Sequence, residues 1–414
     1  MATVVERPGS SVDRFPGTRV VAGCFIILTT SSGLSFYGLA VYLNAFSKER
    51  GWSLASISLA TTLFFLVGGF VGLTIARVIA RRDVRVSLVA GGLLGGAALA
   101  ALGQVEERWQ LYLVYSVFAV GFSAAGLIPV TTVVTRWYHT RRSVALSVAS
   151  TGLSVGGILL TPFAKWLIDE RGLASATPLL AIVWVVGTVP FALWLVRPEP
   201  ERLGWLPDGE RVRADTVAVA PAGVLFRDAL RSRFFRCTTL AYVLMLGAQV
   251  GGIQQLVKLV EERTDEATAT FATIALAGMS VLARLAGGRI VASVPMARFT
   301  AILGAVQAAS LLWLALSNSV VPIFASIIVF GATVGNILML QPLLVAQRFG
   351  VRDYPQIFGR SQFVTMVGVA GGPLLLGWLY DNAGGYRTSY LVAAACSITG
   401  AAVMATGGPA EVRE

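Results

Sequence analysis

The stretch Trp166-Leu167-Ile168-Asp169-Glu170-Arg171-Gly172 returns 212 residues later as Trp378-Leu379-Tyr380-Asp381-Asn382-Ala383-Gly384, with tryptophan, leucine, aspartate and glycine in register. The same offset lays Arg77-Val78-Ile79-Ala80 on Arg289-Ile290-Val291-Ala292, Arg136 on Arg348 and Gly156 on Gly368. An offset that does not drift over separated segments marks a duplicated unit.

The segments between these landmarks are long and poor in charge. Hydrophobic residues make up 55% of the 414 and charged ones 13%, against about 25% charged in soluble domains. Mean hydropathy is +0.72. A bilayer needs about 20 apolar residues per helix. Twelve runs meet that need: 20–46, 53–76, 86–105, 109–134, 143–164, 173–196, 237–257, 267–288, 299–317, 320–347, 361–380 and 386–406. Strands of a membrane barrel would be shorter and alternating. The expected fold is therefore an all-α membrane protein with twelve transmembrane helices in two six-helix halves. Six spans per copy is even, so both copies keep one orientation and form a parallel repeat about the membrane normal.

Residues 197–236 are the one long polar interruption, with Pro198, Pro200, Pro207 and Pro221. They divide the chain into an N-terminal half (1–196), a linker (197–236) and a C-terminal half (237–414). The end of the linker, Val224 to Phe235, reads either as an amphipathic helix on the membrane surface or as a solvated loop.

The net charge of +11 would suggest nucleic acid on a soluble protein. Here the basic residues sort by side. The side of the N-terminus and the linker collects 25 of the 33 Lys and Arg, the other side 8. The positive-inside rule then places both termini in the cytoplasm of a multi-pass protein of the cell membrane. No nucleic acid is expected as a partner. The three cysteines, Cys24, Cys237 and Cys396, give no disulfide framework or metal site. Val21-Ala22-Gly23-Cys24 imitates a lipoprotein cleavage box but lies ahead of the apolar stretch that should precede it. The first apolar run is too long for a cleavable signal.

The loop after the second span reads Gly72-Leu73-Thr74-Ile75-Ala76-Arg77-Val78-Ile79-Ala80-Arg81-Arg82. It resembles the Gly-x-x-x-Asp-Arg-x-Gly-Arg-Arg loop of the major facilitator superfamily, and the resemblance spans essentially the whole chain. Ala76 and Ala80 replace the family's Asp and second Gly. A conformational-switch loop of Gly72, Arg77, Arg81 and the repeat-related Arg289 follows, without the carboxylate partner of the usual charge latch. Three further segments are similar to the monocarboxylate-porter and oxalate–formate-antiporter group. They are Leu43-Asn44-Ala45-Phe46-Ser47-Lys48-Glu49 with Gly51-Trp52-Ser53, Arg136-Trp137-Tyr138-His139-Thr140-Arg141-Arg142, and Gly371-Gly372-Pro373 through Gly377-Trp378-Leu379-Tyr380-Asp381.

Arg284 is the sharpest residue. It ends the charge-free run from Ala267 to Ala283 and lies five residues inward of Arg289, about 7.5 Å at 1.5 Å per residue. A permanent cation there is costly unless it meets an anion or water, and its planar fork suits a carboxylate. The resemblance implies the same role, because monocarboxylate porters carry a substrate-binding Arg in span 8. Ser280 stands where many of them have an Asp. Their span 1 lysine has no counterpart among Phe36, Tyr37, Gly38 and Leu39. The other reading is that Arg284 snorkels to the interface.

Polar and aromatic residues inside spans are candidates for the cavity wall: Tyr37, Asn44, Tyr115, Phe122, Thr151, Gln249, Gln254, Asn336, Gln341, Gln362 and Thr365. Each also reads as helix–helix glue. No span centre holds Asp or Glu, and the single histidine, His139, lies in a loop. That argues against a proton-driven exporter of cationic drugs. No phosphate loop, metal cluster or nucleophile–base pair is present, so neither enzyme activity nor a cofactor is expected. The reading is a secondary active transporter that moves a small organic anion, a monocarboxylate, by alternating access, with a proton or against a counter-anion, and as a monomer. The alternative is an exporter of a hydrophobic metabolite or antibiotic.

Overall fold

The structure is a computed structural model and describes residues 15–52, 54–209, 223–291 and 293–410. Arg7, Arg14, Ser53, Arg211, Arg213, Pro221, Ala292 and Arg413 of the sequence reading lie outside the described residues.

Twelve spans form. The first six are α1 (Gly17–Leu34) with α2 (Gly38–Arg50), α3 (Leu54–Arg81), α4 (Val84–Leu102), α5 (Arg108–Ala124) with α6 (Leu127–Trp137), α7 (Arg142–Arg171) and α8 (Leu173–Trp194). A short α9 (Phe226–Arg231) leads into α10 (Arg233–Arg263), α11 (Glu266–Ile290), α12 (Met296–Leu316), α13 (Val320–Phe349), α14 (Tyr354–Asn382) and α15 (Tyr386–Thr406). Among the described residues, 11 segments are long and apolar enough to cross a membrane by themselves; α11, with Arg284, completes the set.

Two spans that read as continuous in sequence are broken. In span 1 the Ser35 hydroxyl donates to the Ser31 carbonyl, and the Tyr37 amide reaches five residues back to Ser32 O at 3.1 Å. This local widening is a π-type turn, and it separates α1 from α2. In span 4, Pro129 has no N–H to continue the ladder. Gly126 adopts φ −98°, ψ −148° between α5 and α6.

The two halves pack internally by the same device. A Cβ on Gly156 of α7 would collide with the Thr29 carbonyl of α1, and one on Gly368 of α14 with the Val243 carbonyl of α10. Only glycine permits these backbone approaches.

The apolar cores show how the halves meet. At the end bearing the termini and linker, one cluster runs through both halves, from Val20, Trp137 and Leu146 to Leu340, Phe349 and Ala410. At the opposite end there are two clusters. One is built from N-terminal residues such as Tyr42, Phe118 and Trp184, the other from C-terminal residues such as Leu259, Phe330 and Tyr390. The bundle is thus joined at the terminal-bearing end and parted at the other.

The linker ties down both halves. Trp137 Nε1 donates to Arg197 O at 2.7 Å, and the Asp208 carboxylate accepts the amides of His139 (3.1 Å), Thr140 (2.7 Å) and Arg141 (3.3 Å). In the C-terminal half, Asp353 accepts the Phe226 amide at 2.8 Å and Phe349 O accepts the Val224 amide at 2.9 Å. The segment 224–235 is not one surface helix. Ser232 ends α9 and caps α10, accepting the Phe235 amide at 3.1 Å. Phe234 and Phe235 are buried against Phe349.

Candidate functional site

Between the halves lies a cavity of about 170 Å³, walled by α1, α3, α5, α7, α10, α11, α13 and α14 and by the two helix breaks. The span 1 break delivers Phe36 and Tyr37 to it, and the span 4 break delivers Phe122, Gly126 and Leu127. Irregular backbone at membrane depth is tolerated where it lines such a cavity.

Arg284 reaches this cavity and is the one charged residue in the buried set among the described residues. It does not snorkel. Its Nε donates to Gly335 O on α13 at 2.8 Å, and its Nη1 donates to Ser150 O on α7, in the other half. The Ser147 hydroxyl returns a bond to Arg284 O at 2.6 Å. Glycine at 335 makes the grip possible, since any side chain there would collide with the Ser280 carbonyl. Tyr37 stands within electrostatic reach of the guanidinium, next to Ser154. No protein carboxylate pairs with Arg284 among the described residues. Two carbonyl dipoles therefore hold a buried full charge, whose desolvation costs several kcal/mol that the attraction of a bound anion would help to offset.

Of the other sequence candidates, Tyr37, Phe122, Gln249 and Gln362 line the same cavity. Gln249 and Gln362 each carry a buried Oε1 without a partner. The remaining candidates are not brought there. Asn44 and Gln254 are exposed and do not line this cavity. Tyr115 is buried in the N-terminal core, 6.4 Å from Phe64 between ring centroids. The Thr151 hydroxyl donates to Ser147 O within α7. Asn336 joins α13 to α11 by donating to Ala283 O at 2.9 Å. Gln341 Nε2 donates to Ser361 at 3.1 Å and Thr365 at 3.0 Å, fastening α13 to α14.

The switch-loop residues divide likewise. Gly72 lines the cavity floor, while Arg77, Arg81 and Arg289 are exposed without ion-pair partners among the described residues. Ala76, standing for the family's Asp, is buried and packs against Gly359 of α14. Its repeat mate Gly288 packs against Ser147 of α7, and Ser147 is the mate of Gly359. These two contacts between the halves at the terminal-bearing end are thus one contact, used twice. Sequence reading missed this pair, the carbonyls of Ser150 and Gly335, and the cavity aromatics Phe36, Phe64 and Phe65. The 212-residue offset carried part of the signal: it pairs Tyr37 with Gln249, Ser150 with Gln362, and Gly72 with Arg284.

The sequence pattern of the Major Facilitator Superfamily matches residues 25–364. The chain belongs to that superfamily. As a superfamily member it is a multi-pass membrane transporter. It is 22% identical to rat (Rattus norvegicus) Monocarboxylate transporter 13, over 91% of this chain and 84% of that one. It is 24% identical to human (Homo sapiens) Monocarboxylate transporter 11, over 96% and 84%. Among solved structures it superposes on the fucose transporter FucP in its outward conformation with a TM-score of 0.70 at 15% identity, covering 95% of this chain and 98% of that one. The human organic anion transporter MFSD10 gives 0.67 at 15%, covering 95% and 100%. These likenesses establish the twelve-helix fold.

Proposed function

We propose that this superfamily member moves a small organic anion, a monocarboxylate, across the cytoplasmic membrane by alternating access. One observation carries the reading: a buried Arg284 in the cavity between the halves, with no carboxylate among the described residues to neutralise it. Its Nε and Nη1 donate to Gly335 and Ser150, so an anion in the cavity would take the N–H groups of the guanidinium that these two carbonyls leave over. The names of the monocarboxylate transporters it resembles favour the same substrate class. With no buried Asp or Glu among the described residues, a co-transported proton would travel on the substrate or on the Arg284–anion pair, and exchange for a counter-anion needs no proton site at all.

The test is ligand affinity in purified, folded protein. Arg284→Ala should weaken organic-anion binding about thirty-fold or more, the usual cost of breaking a charged hydrogen-bonded pair. Arg284→Lys should recover part of it, because an ammonium keeps the charge without the fork. Equal affinities in wild type and Arg284→Ala would remove Arg284 from the site and favour export of a hydrophobic metabolite.

The strong basic bias of the linker side supports cytoplasmic termini. A membrane-impermeant thiol reagent added outside intact cells should then fail to label Pro207→Cys in a cysteine-free background. Efficient labelling would invert the topology.

A further inference from the structure

The cavity wall is chemically lopsided. The C-terminal half supplies the polar side: Arg284, Gln249 and Gln362, the two glutamines with unpartnered amide oxygens. Side-chain amides can present either oxygen or nitrogen after a flip, so both can serve a carboxylate or a neighbouring polar group. The N-terminal half supplies a continuous aromatic wall. Tyr37 meets Phe36 at 5.0 Å between ring centroids, Phe36 meets Phe65 at 5.8 Å, Phe65 meets Phe64 at 5.5 Å, and Phe64 meets Phe122 at 5.6 Å. All five line the cavity.

The charge count is equally specific. Among the described residues Arg284 is the single charged one in the lining, and its repeat mate, Gly72, lines the same cavity without a side chain. A second carboxylate on the ligand would find no second cation among the described lining residues. Size adds a limit. An apolar cavity of about 150 Å³ accommodates one benzene ring, and this cavity is about 170 Å³.

We propose that the substrate is a monoanion with a single aromatic or similarly bulky apolar tail, its carboxylate on Arg284 and its tail against the Phe36–Phe65–Phe64–Phe122 wall. This rests on the anion reading above and narrows it: short hydrophilic acids and dicarboxylates are poor ligands. The ionic contact is then supplied by the C-terminal half, and the tail meets the N-terminal aromatic wall together with apolar residues of α10 and α14 such as Val250 and Phe363. A ligand of this shape contacts both halves at once, so its binding is sensitive to their relative position.

The experiment measures dissociation constants of the detergent-purified full chain for phenylacetate, acetate, phenylmalonate and benzyl alcohol, in wild type, Arg284→Ala, Phe122→Ala and Phe122→Leu. Phenylacetate should bind at least about tenfold tighter than acetate, as burial of a ring requires. It should also bind at least about tenfold tighter than the dianion phenylmalonate and the neutral benzyl alcohol. Phe122→Ala should weaken phenylacetate and leave acetate unchanged, with Phe122→Leu in between. Acetate as tight as phenylacetate, with both lost in Arg284→Ala, would overturn the tail assignment and keep the anion reading. Phenylmalonate as tight as phenylacetate would overturn the monoanion limit. Benzyl alcohol as tight as phenylacetate, or phenylacetate binding untouched by Arg284→Ala, would overturn the anion reading itself.

Discussion

In the N-terminal half, Gly68 of α3 faces Ser123 of α5, whose hydroxyl donates to the Gly68 carbonyl at 3.0 Å. The repeat carries these positions to Ser280 of α11 and Gly335 of α13, so glycine and serine have changed places while the close approach remains. The same exchange occurs where the halves meet: Ala76 against Gly359 on one side, Gly288 against Ser147 on the other. The duplicated unit keeps a contact by keeping the sum of two side chains small, and either partner can be the glycine. What the halves do not share is the site. Arg284 has only Gly72 as its mate, and the C-terminal counterparts of the two broken spans, α10 and α13, run unbroken. Packing is symmetric; chemistry is not.

The harshest way to break that comparison is Gly335→Val. Its side chain would be driven into the Ser280 carbonyl and would also displace the acceptor of Arg284 Nε. Overpacking of this kind costs about 1–3 kcal/mol and often more against backbone. Thermal unfolding in detergent should show a clear loss of stability relative to Gly371→Val, since nothing lies within 4 Å of a Cβ at Gly371. The symmetric counterpart, Ser123→Gly, should be mild, because one interhelical hydrogen bond in a membrane protein is worth about 0.6–2 kcal/mol. A Gly335→Val protein as stable as wild type would refute the close approach of α11 and α13.

A subtler break addresses the contacts between halves. Gly288→Leu and Gly359→Leu each wedge one of the two mated contacts, Gly288 outside the cavity lining and Gly359 at its edge. If the terminal-bearing end closes by these contacts, both variants should shift the equilibrium toward the state open at that end. Labelling of Phe36→Cys in a cysteine-free background, from the side opposite the termini, should slow by a similar factor in both. A strong effect of one with none of the other would show that the halves do not share the closing work.

The twelve spans, the duplication and the singling out of Arg284 were legible in sequence, because apolar length, a fixed offset and an unpaired cation are properties of the chain alone; that Arg284 is buried and does not snorkel came from the structure. The direction of each polar side chain was not. Gln341 and Gln362 lie on neighbouring spans among similar residues, yet one fastens helices and the other faces the cavity. A span buried among lipids and helices is apolar nearly all round, so its sequence carries little rotational information. The break after Leu34 was also hidden. No proline marks it, and it depends on Ser35 and Tyr37 finding carbonyls four and five residues back.

The smallest expected effect lies in the linker, where the halves again differ: Asp208 closes on the loop before α7, whereas Asp353 lies in the loop before α14 and accepts from the linker. Asp208→Asn keeps the shape, and asparagine tolerates the φ of 65° found there, but it loses the charge that three amides share. A cost of about 0.5–2 kcal/mol is expected, the range for losing a helix cap. Burial pushes the Asp208 carboxyl up, but the amide hydrogen bonds from Thr140, Arg141 and His139 outweigh it and hold the group below its ordinary value of 3.8. A carboxyl depressed in the folded state contributes fully above its unfolded value and loses that contribution as pH falls through the folded one. The stability gap between wild type and Asp208→Asn should therefore be constant from neutral pH down to about 5 and shrink as acid protonates Asp208. A gap that widened in acid would mean that the carboxylate is not what holds the loop, and that the linker grips the N-terminal half through Trp137 and the Arg197 carbonyl instead.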